Sequence, residues 1–284
     1  GYLNWVTDSL DQALEWIDRG VREKKPISVC VVENAATVAK ELLKKNRIPD
    51  IVTDQTPAHN LMEYIPEGKS YKWNLWYQEK DPEEYLELSK ATILKHARAL
   101  KALQKKGAVV FDYGNQLREQ AENYGLPMRK KDGTFVYPGF IEKYIRPLFY
   151  EGMGPFRWTV LSGFKKDLLA IDKALVNAFP KKQALKRWIE KAQHQVNILG
   201  LPTRVCWLGY KERAKMGLII NQLVRSGKVA APIAIGRDHV DCGSIAAPLE
   251  ETKNMLDGSD VVADWPLLNF SINAVSGASW VSFS

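Results

Sequence analysis

The chain has 284 residues and a mass of 32.2 kDa, enough for one large domain or two modest ones. Its 45% hydrophobic and 26% charged residues are the balance of a soluble globular protein, which excludes a disordered chain, a collagen-like repeat and a disulfide-stapled miniprotein. Forty Lys plus Arg against 33 Asp plus Glu leave a net charge of +7, which raises nucleic acid or an anionic small ligand as partners.

Taken in chain order, the first third alternates helix and strand. From Asp8 the apolar residues Leu10, Leu14, Ile17 and Val21 recur on one helical face. Residues 27–32 form a β-branched run, read as a buried strand. Residues 35–45 are again helical, and residues 51–54 form a second strand. The pattern is a βαβ unit, so a parallel sheet covered by helices is expected. After a loop holding Pro57, Pro66 and Gly68, Asp81-Pro82-Glu83-Glu84 has the pattern of an N-cap, a proline at the first helical position and acids in the first turn. That helix is expected to run to about Lys106 and stop at Gly107. Residues 108–112 are the next strand, closing in Asp112-Tyr113-Gly114-Asn115 at a carboxyl edge, where open α/β sheets bind ligands.

Beyond Gly139 the texture changes, and the segment around Arg146 and Arg157 is rich in aromatics and glycine. Helices over residues 181–199 and 212–225, with strands over 203–207 and 233–235, read as a second α/β unit. The expected architecture is α/β: a Rossmann-like parallel-sheet domain over residues 1–139, then part of a second α/β core domain over residues 140–284. No internal repeat is visible.

Basic residues occur as dispersed pairs such as Lys44-Lys45 and Lys181-Lys182, several at helix ends. No nucleic-acid recognition module accompanies them, so no nucleic-acid partner is expected. No run of eighteen apolar residues and no basic-then-apolar leader is present, so neither a membrane span nor export is expected. The three cysteines, Cys30, Cys206 and Cys242, fit a reducing compartment.

Neither a GxGxxG fingerprint nor a P-loop is present. Four constellations remain. Asn34-Ala35 opens a helix after a strand, which suits either a plain N-cap or a phosphate or ribose contact. Residues 54–59, Asp-Gln-Thr-Pro-Ala-His, follow the second strand as either a turn fixed by Pro57 or a ligand loop. Cys206 lies late in a strand, as a buried structural thiol or a reactive one. Arg237, Asp238, His239 and Asp241 form the densest ionisable cluster, suited to proton transfer and carboxylate binding, and their spacing matches no standard metal site.

Several long runs resemble the urocanase (urocanate hydratase) family: DIVTDQTPAH at 50–59, FDYGN at 111–115, YIRPLF at 144–149, GPFRW at 154–158, VCWLG at 205–209, APIAIGRDHVD at 231–241, DGSDVVADWPLL at 257–268 and SGASWVS at 276–282. They follow in order over essentially the whole chain. The resemblance implies a cytoplasmic, homodimeric enzyme of histidine degradation that adds water to urocanate to give 4-imidazolone-5-propanoate. It implies tightly bound NAD+ used as an electrophile, attacked at nicotinamide C4 by the substrate imidazole, and not as a redox carrier. It also leaves open a relative acting on a thio- or methylated urocanate, or a catalytically inactive NAD-binding or dimerisation fragment.

Carried over by motif, Asn34, Ala35, Gln55, Thr56, Pro57, Ala58, His59, Tyr64, Ile65 and Tyr113 are the implied NAD+ contacts, and Cys206 is the implied active-site cysteine. Arg146, Arg157 and the cluster Arg237, Asp238, His239 and Asp241 are candidates for substrate carboxylate binding and proton transfer. Gln116, the pair Tyr210-Lys211 and Cys242 depart from the residues usual in the family at those places. The family's glycine-rich nucleotide loop falls before Gly1 and its histidine-glycine run after Ser284. The resemblance therefore implies that these residues are a little over half of a larger protein.

Overall fold

The computed structural model describes residues 3–236 apart from 197 and 199. The chain divides into two compact units, Gly1–Lys143 and Tyr144–Ser284. Arg237, Asp238, His239, Asp241 and Cys242 lie outside the described residues.

The first unit opens with β1 (Trp5–Thr7), α1 (Leu10–Glu23), β2 (Val29–Val31), α2 (Ala35–Lys44) and β3 (Ile51–Asp54). It continues with α3 (Tyr71–Lys80), α4 (Pro82–Lys105), β4 (Val109–Asp112) and α5 (Leu117–Asn123). Helix α1 begins where the Ser9 side chain accepts from the backbone N–H of Gln12, and α4 where Asp81 accepts from that of Glu84, ahead of Pro82. Each cap satisfies a backbone donor that the first turn leaves without an intrahelical partner. Helix α4 ends before Gly107, whose φ of 107° suits a residue without Cβ.

Strand pairing corrects one expectation. The two strands of the predicted βαβ unit do not pair with each other among the described residues. Instead β1 pairs in parallel with β2, from Trp5 opposite Val29 to Thr7 opposite Val31. Strand β3 pairs in parallel with β4, from Ile51 opposite Val109 to Asp54 opposite Asp112. Strand β1 has three residues, too few for a period-two pattern to register, so the sequence supplied β2 with the wrong neighbour. Helix α4 packs against α2 and α5, burying Ile93, Ala97, Leu100 and Leu103 on one face. With Tyr64, Val110, Met128 and Phe135 these form the unit's core, each large apolar side chain contributing about 1.5–3 kcal/mol.

A π-helical turn, Ile141–Ile145, spans the change of unit and runs into the short helix α6 (Arg146–Tyr150). There follow β5 (Gly154–Val160), α7 (Lys165–Ala178), α8 (Gln183–Gln195), β6 (Thr203–Leu208), α9 (Glu212–Arg225) and β7 (Ile233–Gly236). The three strands form an antiparallel sheet in the order β6-β5-β7. The central strand, β5, is one the sequence reading passed over. Phe156, Trp158 and Val160 on its buried face join Cys206 and Leu208 of β6 and Leu168, Ile171 and Leu175 of α7 in one apolar core. Within it Arg204 of β6 meets Asp172 of α7 at 2.8 Å, both side chains almost wholly buried. Gln193 of α8 donates a further hydrogen bond to the same carboxylate at 3.1 Å.

Candidate functional site

In the first unit the candidate residues collect at the carboxyl ends of β2, β3 and β4. Asn34 caps α2, its side-chain oxygen accepting from the N–H groups of Ala36 and Thr37 at 3.0 and 3.3 Å. Its amide nitrogen donates to the carbonyl of Ile65 at 2.8 Å. The cap and the loop after β3, proposed separately from sequence, are thus tied by one side chain. Ala35, the first helical residue, presents no side chain beyond Cβ at this end.

That loop is held from below. Asp54, buried at the end of β3, accepts from the backbone N–H and hydroxyl of Thr56 at 3.1 and 2.8 Å. The Asn115 amide from the β4–α5 turn donates to the Asp54 carboxylate and, at 2.8 Å, to the Thr56 carbonyl. A neighbouring buried cluster fixes β4 itself: Arg118 pairs with Asp112 and Glu119 and donates to the Tyr137 carbonyl at 3.0 Å. The sequence places Asp112 and Asn115 at this carboxyl edge, but only Tyr113 of FDYGN is a candidate contact there, and Arg118 is not marked at all. The clustering of Asp112, Asn115 and Arg118 within seven residues was the available signal.

Tyr64 and Ala58 are buried in the core, while Pro57, Thr56 and Ile65 are half-buried. The Tyr64 hydroxyl lies 3.0 Å from His96 Nδ1 on α4, and its carbonyl accepts from the hydroxyls of Tyr85 and Ser89. Burial, with the Asp54 and Glu67 charges adding to it, pushes the Tyr64 phenol well above its ordinary range. Burial likewise pushes the His96 imidazole below its ordinary range, against the opposing pull of Asp54. Tyr64 therefore shapes the loop as a neutral hydrogen-bonding group. Three candidate residues remain open to solvent: Gln55, His59 and Tyr113, which is 44% exposed and has its ring stacked on Phe140 at 4.6 Å. An amide, an imidazole and an aromatic face fit a nucleotide: hydrogen-bonding groups for ribose or phosphate, and a ring on which a base can stack.

In the second unit a cavity of about 620 Å³ runs along β6, the edge strand of its sheet. Val205, Cys206 and Trp207 line it from the strand, Lys182 to Leu185 and Trp188 from the start of α8, and Met153 from the segment before β5. The Trp188 indole donates to the Val205 carbonyl at 2.7 Å, satisfying one edge acceptor. Cys206 is 3% exposed. Burial pushes its thiol up to about 12, with Asp172 and Glu212 raising it and Lys182 opposing them. It is a neutral thiol at physiological pH, a weak hydrogen-bonding group and not a ready nucleophile.

Register separates two of the candidates. Cys206 stands opposite Phe156 and Arg157 opposite Val205, so Cys206 faces the helix-packed core and Arg157 the other side of the sheet. Arg146 is the first residue of α6 and is half-buried. Lys182, Trp188 and Met153 were not singled out from sequence, because they become neighbours of Cys206 only when α8 folds against the β6 edge. Among the described residues, no group of three or more His, Cys, Asp or Glu side chains is placed to hold a metal ion.

Comparison with protein-family models gives a match over residues 1–144 to the urocanase Rossmann-like domain and over residues 147–284 to the urocanase C-terminal domain. Together they cover nearly the whole chain, and each falls on one of the two units. The chain belongs to the urocanase family.

Proposed function

We propose that this chain belongs to a urocanate hydratase, a hydro-lyase of histidine degradation that converts urocanate to 4-imidazolone-5-propanoate. The observation that carries the reading is the pair of family domains, in order, over both units. We assign NAD+ to the first unit, where Ala35, Gln55, Thr56, Pro57, His59 and Tyr113 would hold it, with Asn34, Ala58, Tyr64 and Ile65 fixing the loop. When bound, NAD+ supplies an electrophilic pyridinium ring. The polypeptide's part is to orient it: Tyr113 offers a stacking face, Gln55 and His59 offer hydrogen bonds, and the Asp54–Thr56–Asn115 network holds the backbone of the loop in place. In the second unit Cys206 lines the substrate cavity as a neutral thiol. Arg146 binds the substrate carboxylate, and Arg237, Asp238, His239 and Asp241 bind and transfer protons; Arg157, on the other side of the sheet from Cys206, serves the carboxylate only if the substrate reaches round the β6 edge. The enzyme acts as a homodimer in the cytoplasm; no helix among the described residues is long and apolar enough to cross a membrane.

The test is the loss of urocanate absorbance in the presence of NAD+. Cys206→Ala is expected to cut turnover strongly with the fold intact by circular dichroism, and Cys242→Ser to be nearly silent; the reverse pattern would mean the wrong thiol. Arg146→Glu is expected to raise KM for urocanate, and an unchanged KM would remove Arg146 from the carboxylate site. Retained NAD+ with no turnover of urocanate would reduce the chain to a binding module, and turnover of only a thio- or methyl-substituted analogue would change the substrate.

A further inference from the structure

Helix α3 has two dissimilar faces. On its inner side Asn74 is fully buried and donates to the Ser70 carbonyl at 3.1 Å, while the rings of Trp73 and Tyr77 stack on each other at 4.4 Å. Its outer side carries six exposed residues in two adjacent rows of i, i+4 spacing: Tyr71, Leu75 and Glu79, then Lys72, Trp76 and Lys80. Tyr71 is 65% exposed, Leu75 44% and Trp76 50%, an unusual amount of large apolar surface for one ten-residue helix. The Lys80 ammonium lies 4.4 Å from the Trp76 ring centroid. Lys72 and Glu79 enter no ion pair among the described residues.

The order of charges along this face is self-complementary. Lys72 and Glu79 are seven residues apart, so they point the same way after two turns, and their midpoint falls between Leu75 and Trp76. A two-fold axis through that midpoint, perpendicular to the helix, sets two copies of α3 antiparallel. Lys72 of each then meets Glu79 of the other, with Leu75 against Leu75 on one side of the axis and Trp76 against Trp76 on the other. The helix dipoles oppose, and the interface is isologous, as closed dimers require.

We propose that the outer face of α3 is where two copies of this chain pair. This deepens the homodimer reading above, rests on it, and names its surface. Six side chains a copy are few beside the roughly 20–30 residues a side of a standard interface, so α3 supplies the centre and its neighbours the rim. Paired tryptophan and leucine side chains between two ion pairs suit such a centre, since tryptophan is among the residues that carry most binding energy at interfaces.

Charge reversal tests it. Lys72→Glu places two acids opposite each other at both ends of the pair, and Glu79→Lys does the same with two bases. Each alone is expected to weaken self-association at least ~10-fold by sedimentation equilibrium, since like-charge juxtaposition across an interface is strongly unfavourable. The double variant is expected to return to within ~3-fold of the unaltered chain. Mixing the two single variants is expected to restore pairing as a mixed dimer, because each then presents what the other lacks. A chain that is monomeric without substitution would remove both the homodimer and this surface. A dimer indifferent to either reversal would leave the homodimer standing and remove α3 from it. Single variants that stay apart when mixed would also overturn the proposal, since a loss not rescued by the complementary charge is not a loss of this pairing.

Discussion

Lys211 shows how one residue can be legible as a departure without its cost being visible. It stands with Tyr210 where the family resemblance implies a more glycine-like pair, and it caps α9 at φ 65°, in the left-handed region. A side chain with Cβ is disfavoured there by about 1–2 kcal/mol, while glycine pays roughly 0.5–1 kcal/mol in unfolded-state entropy. No side-chain hydrogen bond caps the helix in compensation. Lys211→Gly is therefore expected to stabilise the chain by about 0.5–1 kcal/mol, read as a higher urea midpoint at unchanged m-value. A lower midpoint would show that the lysine side chain contributes something its backbone strain hides. Gln116, the other departure near a motif, also has positive φ, at 63°, where asparagine is better tolerated. Residue identity was readable at both places. The backbone conformation that makes identity matter was not, because φ is set by how the turn joins its flanking elements.

At the scale of elements, the loop after β3 is governed by the helix beneath it. Tyr64 on the loop and His96 on α4 are linked at 3.0 Å inside the core. With the imidazole neutral and its proton on Nε2, the Tyr64 hydroxyl donates to Nδ1. The groups facing His96 are Tyr64, held neutral by burial, and Asp54, whose charge only partly offsets the desolvation. A base whose folded pKa lies below its unfolded value of 6.5 leaves stability intact above that value and loses it as pH falls toward the folded pKa. Below pH 6.5 the loss approaches about 1.4 kcal/mol per pH unit from this one group. His96→Gln offers an amide acceptor with no titration. It is expected to flatten the decline in urea midpoint between pH 6.5 and 5 relative to the unaltered chain; an equally steep decline in the variant would assign the acid sensitivity to other groups. The sequence marked α4 clearly, through Asp81, Pro82 and Gly107, but not that its buried face carries a histidine for the loop after β3. The same divide applies to strands. Residues 108–112 and 203–207 were legible as strands, whereas β5 alternates Phe156, Arg157, Trp158, Thr159 and Val160, a period-two pattern obscured by the glycines and arginines around it.

For the whole molecule, the net charge of +7 invited two kinds of anionic partner, and salt separates them. A protein that neutralises six to ten phosphates loses about 10³–10⁵ in affinity for duplex DNA between 50 and 200 mM salt, because each contact releases counterions. A dinucleotide held by Gln55, His59 and a stacking ring at Tyr113 depends mainly on short-range contacts, which a Debye length of about 8 Å at physiological ionic strength leaves largely unscreened. The lysines support that division. Lys40 and Lys95 both bind Glu67, Lys45 pairs with Asp11 and Lys182 with Glu212, so they are tied to acids and spread over both units. NAD+ at a hundred times its dissociation constant is expected to stabilise the chain by about 2.7 kcal/mol at either salt concentration, measured as a shift in the thermal transition. Its affinity is expected to fall less than ~10-fold between 50 and 200 mM salt, and any retention on duplex DNA at 50 mM to vanish at 200 mM. Tyr113→Ala is expected to reduce the NAD+ shift while leaving the transition of the free chain nearly unchanged, since the residue is 44% exposed. A shift as large in that variant would move the cofactor away from the β4 edge. A steep salt dependence for NAD+ itself would mean that clustered charge, not the ring and hydrogen bonds at this edge, holds the ligand.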